Sequence, residues 1–282
     1  MEIIDFGEVA SRYKVIFFDA YGVLKNSLGL LEGIDRTFDF LLDLDIDFYV
    51  VTNDASRSPK RLAEAYIEQG LTVVDASRII SSGMLATEYL RLKVKKGGVA
   101  YLGTEASAHY LQEVGLHTMS IADLDLESCD DINALVFLDD EGFDWNRDIN
   151  KIVNLLRMRN IPAIVANTDR SYPVSSKEVA VAVGGIADMV EAITGRQFIK
   201  FGKPDAQMFI FAYNHSQRAQ AVSKEQILMV GDTLTTDIMG GNKFGIDTAL
   251  VLSGNTLRGS AAERIHATGI IPDYVCESVV IG

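Results

Sequence analysis

An α/β fold built on parallel sheets is what this 282-residue chain predicts, and two observations carry the prediction. Short runs of apolar, β-branched and aromatic residues, each bounded by Gly or polar residues, recur along the chain. Unbroken runs of this kind mark strands buried on both faces. Segments with helical spacing lie between them, and regular alternation of strand and helix argues for right-handed crossovers in an α/β architecture. Composition agrees: 48% apolar and 23% charged residues, with 23 Gly and 5 Pro, is ordinary globular usage and excludes disordered, collagen-like and disulfide-scaffold chains.

In chain order the strand runs are Val15 to Phe18, Phe48 to Thr52, Val99 to Leu102, Ala134 to Leu138, Ala163 to Ala166, Ile227 to Val230 and Thr248 to Leu252. The helical segments are Gly33 to Leu44, Pro59 to Gln69, Gly83 to Leu92, Ala106 to Glu113, Asn146 to Arg159, Ala187 to Thr194, Ala206 to Ser216 and Thr235 to Lys243. Start and stop signals support them, with Ser58 before Pro59, Gly70 after Gln69 and Gly245 after the last helix. The length admits one large domain or two moderate ones. The strands can form one sheet or two, and periodicity alone does not choose.

The 39 acidic residues outnumber the 26 basic ones, a formal charge of −13, which speaks against a nucleic-acid partner that would need a basic surplus. Cys129 and Cys276 sit in no metal-binding spacing and read as packed thiols. No run approaches the roughly 18 apolar residues of a membrane span, and the first residues lack the apolar stretch of a signal peptide. A cytoplasmic protein with no membrane partner is the expectation.

Four constellations carry chemistry. The run Val15 to Phe18 delivers Asp19 at its carboxyl end, where ligands of open α/β sheets bind, and turns at Gly22. An Asp there also caps or turns the chain well by itself. Thr52-Asn53-Asp54 follows the next strand, with hydroxyl and amide groups suited to an anionic oxygen or to capping the helix at Pro59. Lys203 stands between Gly202 and Pro204, just before a helix at Asp205, although a lone Lys is more often a solvated surface charge than a site residue. The most specific is Gly231-Asp232-Thr233-Leu234-Thr235-Thr236-Asp237, where a strand runs into two aspartates five positions apart. Both aspartates can serve as caps alone, but like charges this close repel unless neutralised; a hard divalent cation with oxygen ligands is the natural partner, and Mg²⁺ suits few carboxylates plus waters or phosphate oxygens.

In this order and context, Asp19 in a DxxGVL turn, Thr52-Asn53, Gly202-Lys203-Pro204 and GDTLTTDI resemble the four motifs of the haloacid dehalogenase (HAD) superfamily. The last motif and the long insertion between the second and third are similar to class IIA, the branch of p-nitrophenyl phosphatases and predicted sugar phosphatases. Asn167-Thr168-Asp169-Arg170-Ser171-Tyr172-Pro173 resembles that branch's NxDxxxP cap segment. The resemblance spans nearly the whole chain. It implies a Rossmann-like core at residues 1–79 and 187–282, with an inserted α/β cap of C2 type at residues 80–186.

It also implies roles. Asp19 is the expected nucleophile, forming an aspartyl-phosphate that water hydrolyses. Mg²⁺ is expected on Asp19, the backbone carbonyl of Tyr21 and Asp232, with Asp237 in or near its second coordination shell. Thr52, Asn53 and Lys203 are expected to bind the phosphoryl group, Lys203 also offsetting charge on the nucleophile. In the cap, Asn167, Asp169 and Arg170 are candidates for substrate contact, or equally for a structural turn before Pro173.

One departure matters. Family phosphatases carry a second Asp two residues after the nucleophile, as general acid and base; here that residue is Tyr21. A phenol, with a reference pKa of about 10, is a reluctant base near neutral pH. The Asp19-Ala20-Tyr21-Gly22 turn also resembles the metal-free dehalogenases, but Asp232 and Asp237 keep a cation site that halide displacement does not need. The expectation is therefore a Mg²⁺-dependent phosphatase of a small phosphorylated metabolite, such as a sugar phosphate. The alternative is a weakly active or non-catalytic phosphate binder on the same scaffold. A homodimer through the exposed cap surface is compatible with either.

Overall fold

The computed structural model describes residues 2–174 and 178–282. It divides into two compact units, residues 1–52, 59–80 and 203–282 in the first and 53–58 and 81–202 in the second.

The first unit holds a six-stranded sheet ordered Tyr274–Cys276, Asp247–Val251, Ile227–Gly231, Val15–Phe18, Asp47–Thr52, Ile79–Ser81. Val15–Phe18 pairs in parallel with both Ile227–Gly231 and Asp47–Thr52, with Phe18 opposite Val230 on one side and Val50 on the other. All four residues of Val15–Phe18 are buried, as its unbroken apolar run requires. Phe38, from the helix Ile34–Asp43, packs against Phe18 and Phe48 at ring-centroid distances of 5.8 and 4.7 Å. The helix Ala206–Ser216 begins where Asp205 caps it, its carboxylate accepting from the Gln207 amide at 2.8 Å.

The second unit has its own five-stranded parallel sheet, ordered Ile199–Lys200, Ala163–Val165, Ile132–Phe137, Gly98–Leu102, His117–Ser120. A short antiparallel pair, Ser171–Pro173 with Val179–Val181, lies in the same unit. Its core gathers Leu135 and Phe137 with Ile152 and Leu155 of the helix Trp145–Met158 and Val190 of the helix Val183–Thr194.

Every strand run read from the sequence is a strand, and the two-sheet arrangement is the one formed. The boundary at residue 186 needs correction. Residues 187–202 belong to the second unit because Ile199–Lys200 adds to its sheet beside Ala163–Val165 and Phe198 stacks on Phe137 at 5.5 Å. A two-residue strand carries no readable periodicity, so nothing local assigns it, or the helix before it, to the second core. The segment Ala106 to Glu113 is helical only over His109–Gln112. Ahead of it the Thr104 hydroxyl accepts from the Ser107 amide at 3.2 Å, a local turn that competes with helix. Cys129 and Cys276 are both buried free thiols, as expected. No helix among the described residues is long and apolar enough to cross a membrane.

The start of Trp145–Met158 is closed from both directions. Asp144 accepts from the Arg147 amide at 2.6 Å, and the buried Asp148 carboxylate accepts from the Asp144 amide at 2.8 Å. Arg147 grips Asp148 through Nε and Nη2 at 2.8 and 2.9 Å, and this bidentate hydrogen bonding is the main cause holding the Asp148 carboxyl below its usual value. A depressed carboxylate stabilises the fold above its unfolded-state pKa, and that contribution is lost as pH falls through the folded-state value. In urea denaturation from pH 6 down to 3, wild type should therefore lose stability more steeply than Asp148→Asn. Parallel curves would contradict the assignment.

Candidate active site

The register of the central strands builds the site. Because Phe18 lies opposite Val230, the next residues of both strands emerge side by side at the carboxyl edge, and the Asp19 amide donates to the Val230 carbonyl at 2.8 Å. Asp19 thus stands at the level of Gly231, with Asp232 following at the same strand edge. After Asp232 the chain makes a wide turn over Leu234–Ile238, with the Ile238 amide pointing at the Thr233 carbonyl at 3.5 Å, before the helix Met239–Phe244 begins. This turn, in place of the simple helix start read from the sequence, brings Asp237 back to the strand end, where its Oδ2 accepts from the Thr233 amide at 3.1 Å.

Carboxylate oxygens of Asp19, Asp232 and Asp237 lie within 4.8 Å of one another. Asp232 and Asp237 are buried, while Asp19 keeps part of its side chain exposed. Lys203, itself buried, places its ammonium 2.7 Å from Asp19 Oδ1 and 2.6 Å from Asp237 Oδ1. Burial opposes the lysine charge, but the two carboxylates outweigh it and its pKa is raised. Burial pushes Asp237 upward first, with the charges of Asp19 and Asp232 adding and Lys203 opposing. Asp232 is pushed up by burial and by Asp19, against the pull of the Asn255 amide and the Thr233 hydroxyl. With all three carboxylates ionised, as cation binding would require, one ammonium leaves a net of two negative charges in the cluster. A single divalent cation carries the matching charge, and all-oxygen donors are what a hard cation prefers, so these residues fit a hard divalent cation.

Gly22, three residues after Asp19, packs against Asp232. Its φ of +80° is open to glycine, and a β-carbon there would overlap Asp232 Oδ2. Tyr21 is half-buried, in an isolated bridge to Lys25. Thr52 is buried at the carboxyl end of the strand beside Val15–Phe18. Asp19, Asp232, Asp237, Lys203, Tyr21 and Thr52 are therefore all in the first unit, the first four in one cluster.

The remaining candidates belong to the second unit. The Asn53 side-chain amide donates to Asp169 Oδ1 at 2.9 Å and to the Thr168 hydroxyl at 3.2 Å, so this amide is engaged with the Asn167–Asp169 segment. Asn167 Oδ1 accepts from the Asp169 amide at 2.9 Å, the turn-forming use of this residue. Arg170 is exposed and donates from Nε to Asp188 at 2.6 Å, and Asp188 also receives Lys200 at 2.8 Å. Asp54 accepts from the Ser56 amide and hydroxyl at 2.8 and 2.6 Å.

Sequence reading missed the segment Ser253 to Thr256. The Asn255 amide donates to Asp232 Oδ2 at 2.6 Å, the Thr256 amide to the Asp232 carbonyl at 3.1 Å, and the Ser253 hydroxyl to the Gly22 carbonyl at 2.7 Å. The signal was present: small polar residues directly after the strand run Thr248 to Leu252, the same placement that marks the other motifs.

Comparisons with known proteins bear on this geometry. The model of the haloacid dehalogenase-like hydrolases matches residues 16–117, and a second HAD-hydrolase-like model matches residues 200–280. A crystal structure from Cytophaga hutchinsonii, described as a possible sugar phosphatase of the HAD superfamily, is 56% identical. It superposes with a TM-score of 0.96, covering 100% of this chain and 99% of that one. Chronophin of Bos taurus is 27% identical over 281 residues, covering 96% of this chain and 93% of its own. The p-nitrophenyl phosphatase from Archaeoglobus fulgidus shares the fold at 24% identity and a TM-score of 0.80, covering 95% of this chain and 97% of that one. With an aspartate cluster at the carboxyl ends of paired parallel strands and relatives matching along its whole length, the chain belongs to the haloacid dehalogenase superfamily of hydrolases, in its class IIA branch.

Proposed function

We propose that the chain is a Mg²⁺-dependent phosphatase of a small phosphoester, working through an aspartyl-phosphate on Asp19. The observation that carries this reading is the buried Lys203 ammonium bridging Asp19 and the buried Asp237 within a three-carboxylate cluster. Relatives named as phosphatases, the possible sugar phosphatase of Cytophaga hutchinsonii among them, point the same way.

Asp19 Oδ1 is held by Lys203 and by the Ala20 amide, each at 2.7 Å, so Oδ2 is the oxygen expected to attack phosphorus. A bond forms between Oδ2 and phosphorus as the bond to the leaving oxygen breaks, and water later returns the carboxylate. Lys203 holds Asp19 Oδ1 in place, so the nucleophile enters with little reorganisation. Asp19, the Tyr21 carbonyl and Asp232 would hold Mg²⁺, with Asp237 beside them. When bound, the ion would offset charge on the transferring phosphoryl group. Thr52 and Lys203 would contact phosphoryl oxygens; in the second unit Asn167, Asp169 and Arg170 stay candidates for substrate contact, with the Asn53 amide held by Asp169 and Thr168.

Tyr21 is the observation favouring a second reading, a binder with little turnover, because no carboxylate occupies the acid-base position. A panel of sugar and other small phosphoesters with Mg²⁺ separates the two. Wild type should turn over at least one ester. Tyr21→Asp should be faster by about 10²- to 10⁴-fold, the usual worth of a positioned acid-base group. Turnover by Tyr21→Asp alone would establish the binder for the natural protein.

A further inference from the structure

The Asp232 carboxylate would be one wall of the cation site, and the Asp19–Gly22 turn another. They come from segments far apart in sequence, and a third segment ties them together. Ser253 donates from its hydroxyl to the Gly22 carbonyl at 2.7 Å, fixing the turn that carries Tyr21. Two residues on, the Asn255 amide holds Asp232 Oδ2 at 2.6 Å. The other oxygen, Oδ1, accepts from the Thr233 hydroxyl at 2.7 Å, and that hydroxyl receives the Asn255 side-chain amide at 3.2 Å. Both carboxylate oxygens are thus oriented by groups that Asn255 touches.

Between these anchors sits Gly254. A β-carbon on it would overlap Asp232 Oδ2 and come within 2.6 Å of the Gly22 α-carbon. The two backbones therefore approach as closely as glycine permits, and the approach sets the gap between the turn and the carboxylate. Outside the cluster, Arg264 of the helix Arg258–Thr268 donates to the Asn255 carbonyl at 2.7 Å, holding the far side of the loop.

We propose that the Ser253–Asn255 loop is a positioning element that sets the Tyr21–Gly22 turn and the Asp232 carboxylate at the spacing the cation requires before the cation arrives. This rests on the cation-site reading above. Ser253 and Gly254 touch no reacting atom; they act through Gly22 and Asp232. Groups that orient metal ligands typically contribute 10- to 100-fold in metal affinity, and removing the Ser253 tie should fall near the lower end of that range.

The experiment is calorimetric titration of the full chain with Mg²⁺ alone, beside thermal melts without metal, for wild type, Ser253→Ala, Ser253→Thr and Gly254→Ala. Ser253→Ala should bind Mg²⁺ about tenfold more weakly, with its metal-free melting temperature close to wild type. Ser253→Thr, which keeps the hydroxyl, should recover most of the loss, a rescue that a merely structural role would not give. Gly254→Ala should bind at least as weakly as Ser253→Ala; if it does not fold, the serine pair decides. Wild-type binding with Ser253→Ala within twofold of it overturns the positioning role, as does Ser253→Thr binding as weakly as Ser253→Ala. Absence of Mg²⁺ binding by wild type overturns both this role and the cation site itself.

Discussion

Asp19→Asn should abolish phosphoester turnover, by on the order of 10⁴-fold or more, because the nucleophile is the one group whose loss no alignment or charge screening replaces. The substitution is nearly isosteric. The introduced asparagine would still accept from the Ala20 amide through its carbonyl oxygen, and Lys203 would keep Asp237 at 2.6 Å as its partner. The fold should therefore survive, and a circular dichroism melt distinguishes a dead site from an unfolded chain. Turnover equal to wild type in a folded Asp19→Asn protein would remove Asp19 from the mechanism. A phosphoenzyme trapped by rapid acid quench from wild type and missing from the variant would complete the assignment.

Lys203→Met should have the second large effect, and it is one of stability as well as rate. The lysine is buried with its ammonium against two carboxylates, so an apolar replacement of similar length leaves a cluster of acids with no positive charge in it. Removing one partner of a buried ion pair typically costs about 3–5 kcal/mol. Urea denaturation in metal-free buffer should show a loss of that order. Added Mg²⁺ should recover more stability in Lys203→Met than in wild type, because the cation then supplies the only positive charge. A loss under about 1 kcal/mol would mean that the cluster is already neutralised by protons and that Lys203 does little electrostatic work there. Turnover should fall with Lys203→Met at every Mg²⁺ concentration, since the cation cannot take over orientation of Asp19 Oδ1.

These two expectations differ in how they could be reached. Asp19 and Lys203 are each visible in the sequence, one ending a buried strand and the other pinned between Gly202 and Pro204. Their pairing is not. Motif resemblance places both near one phosphate, but the ammonium is held by Asp237 as closely as by Asp19, a fact that follows from the wide turn over Leu234–Ile238. Asn53 shows the converse. Its motif suggests a phosphate ligand, yet its side-chain amide is bound to Asp169 and Thr168, contacts that no local pattern around Thr52 announces.

Short-range pattern encodes the buried strands and the residues at their ends. Val15 to Phe18 and Ile227 to Val230 had to be buried strands because their runs are apolar throughout, and small polar or acidic residues at their ends had to face the carboxyl edge of a parallel sheet. Tertiary structure alone decided the rest. The pairing of Phe18 with Val230 put Asp19 beside Asp232, a long-range register choice that lies in neither strand separately. The three-residue edge strand Tyr274–Cys276 and the two-residue strand Ile199–Lys200 were illegible because elements that short have no period; they exist because a neighbouring strand offers its hydrogen-bonding edge. The loop Ser253 to Thr256 gained its place at Asp232 in the same way, by parallel strand order bringing the end of Asp247–Val251 next to the end of Ile227–Gly231.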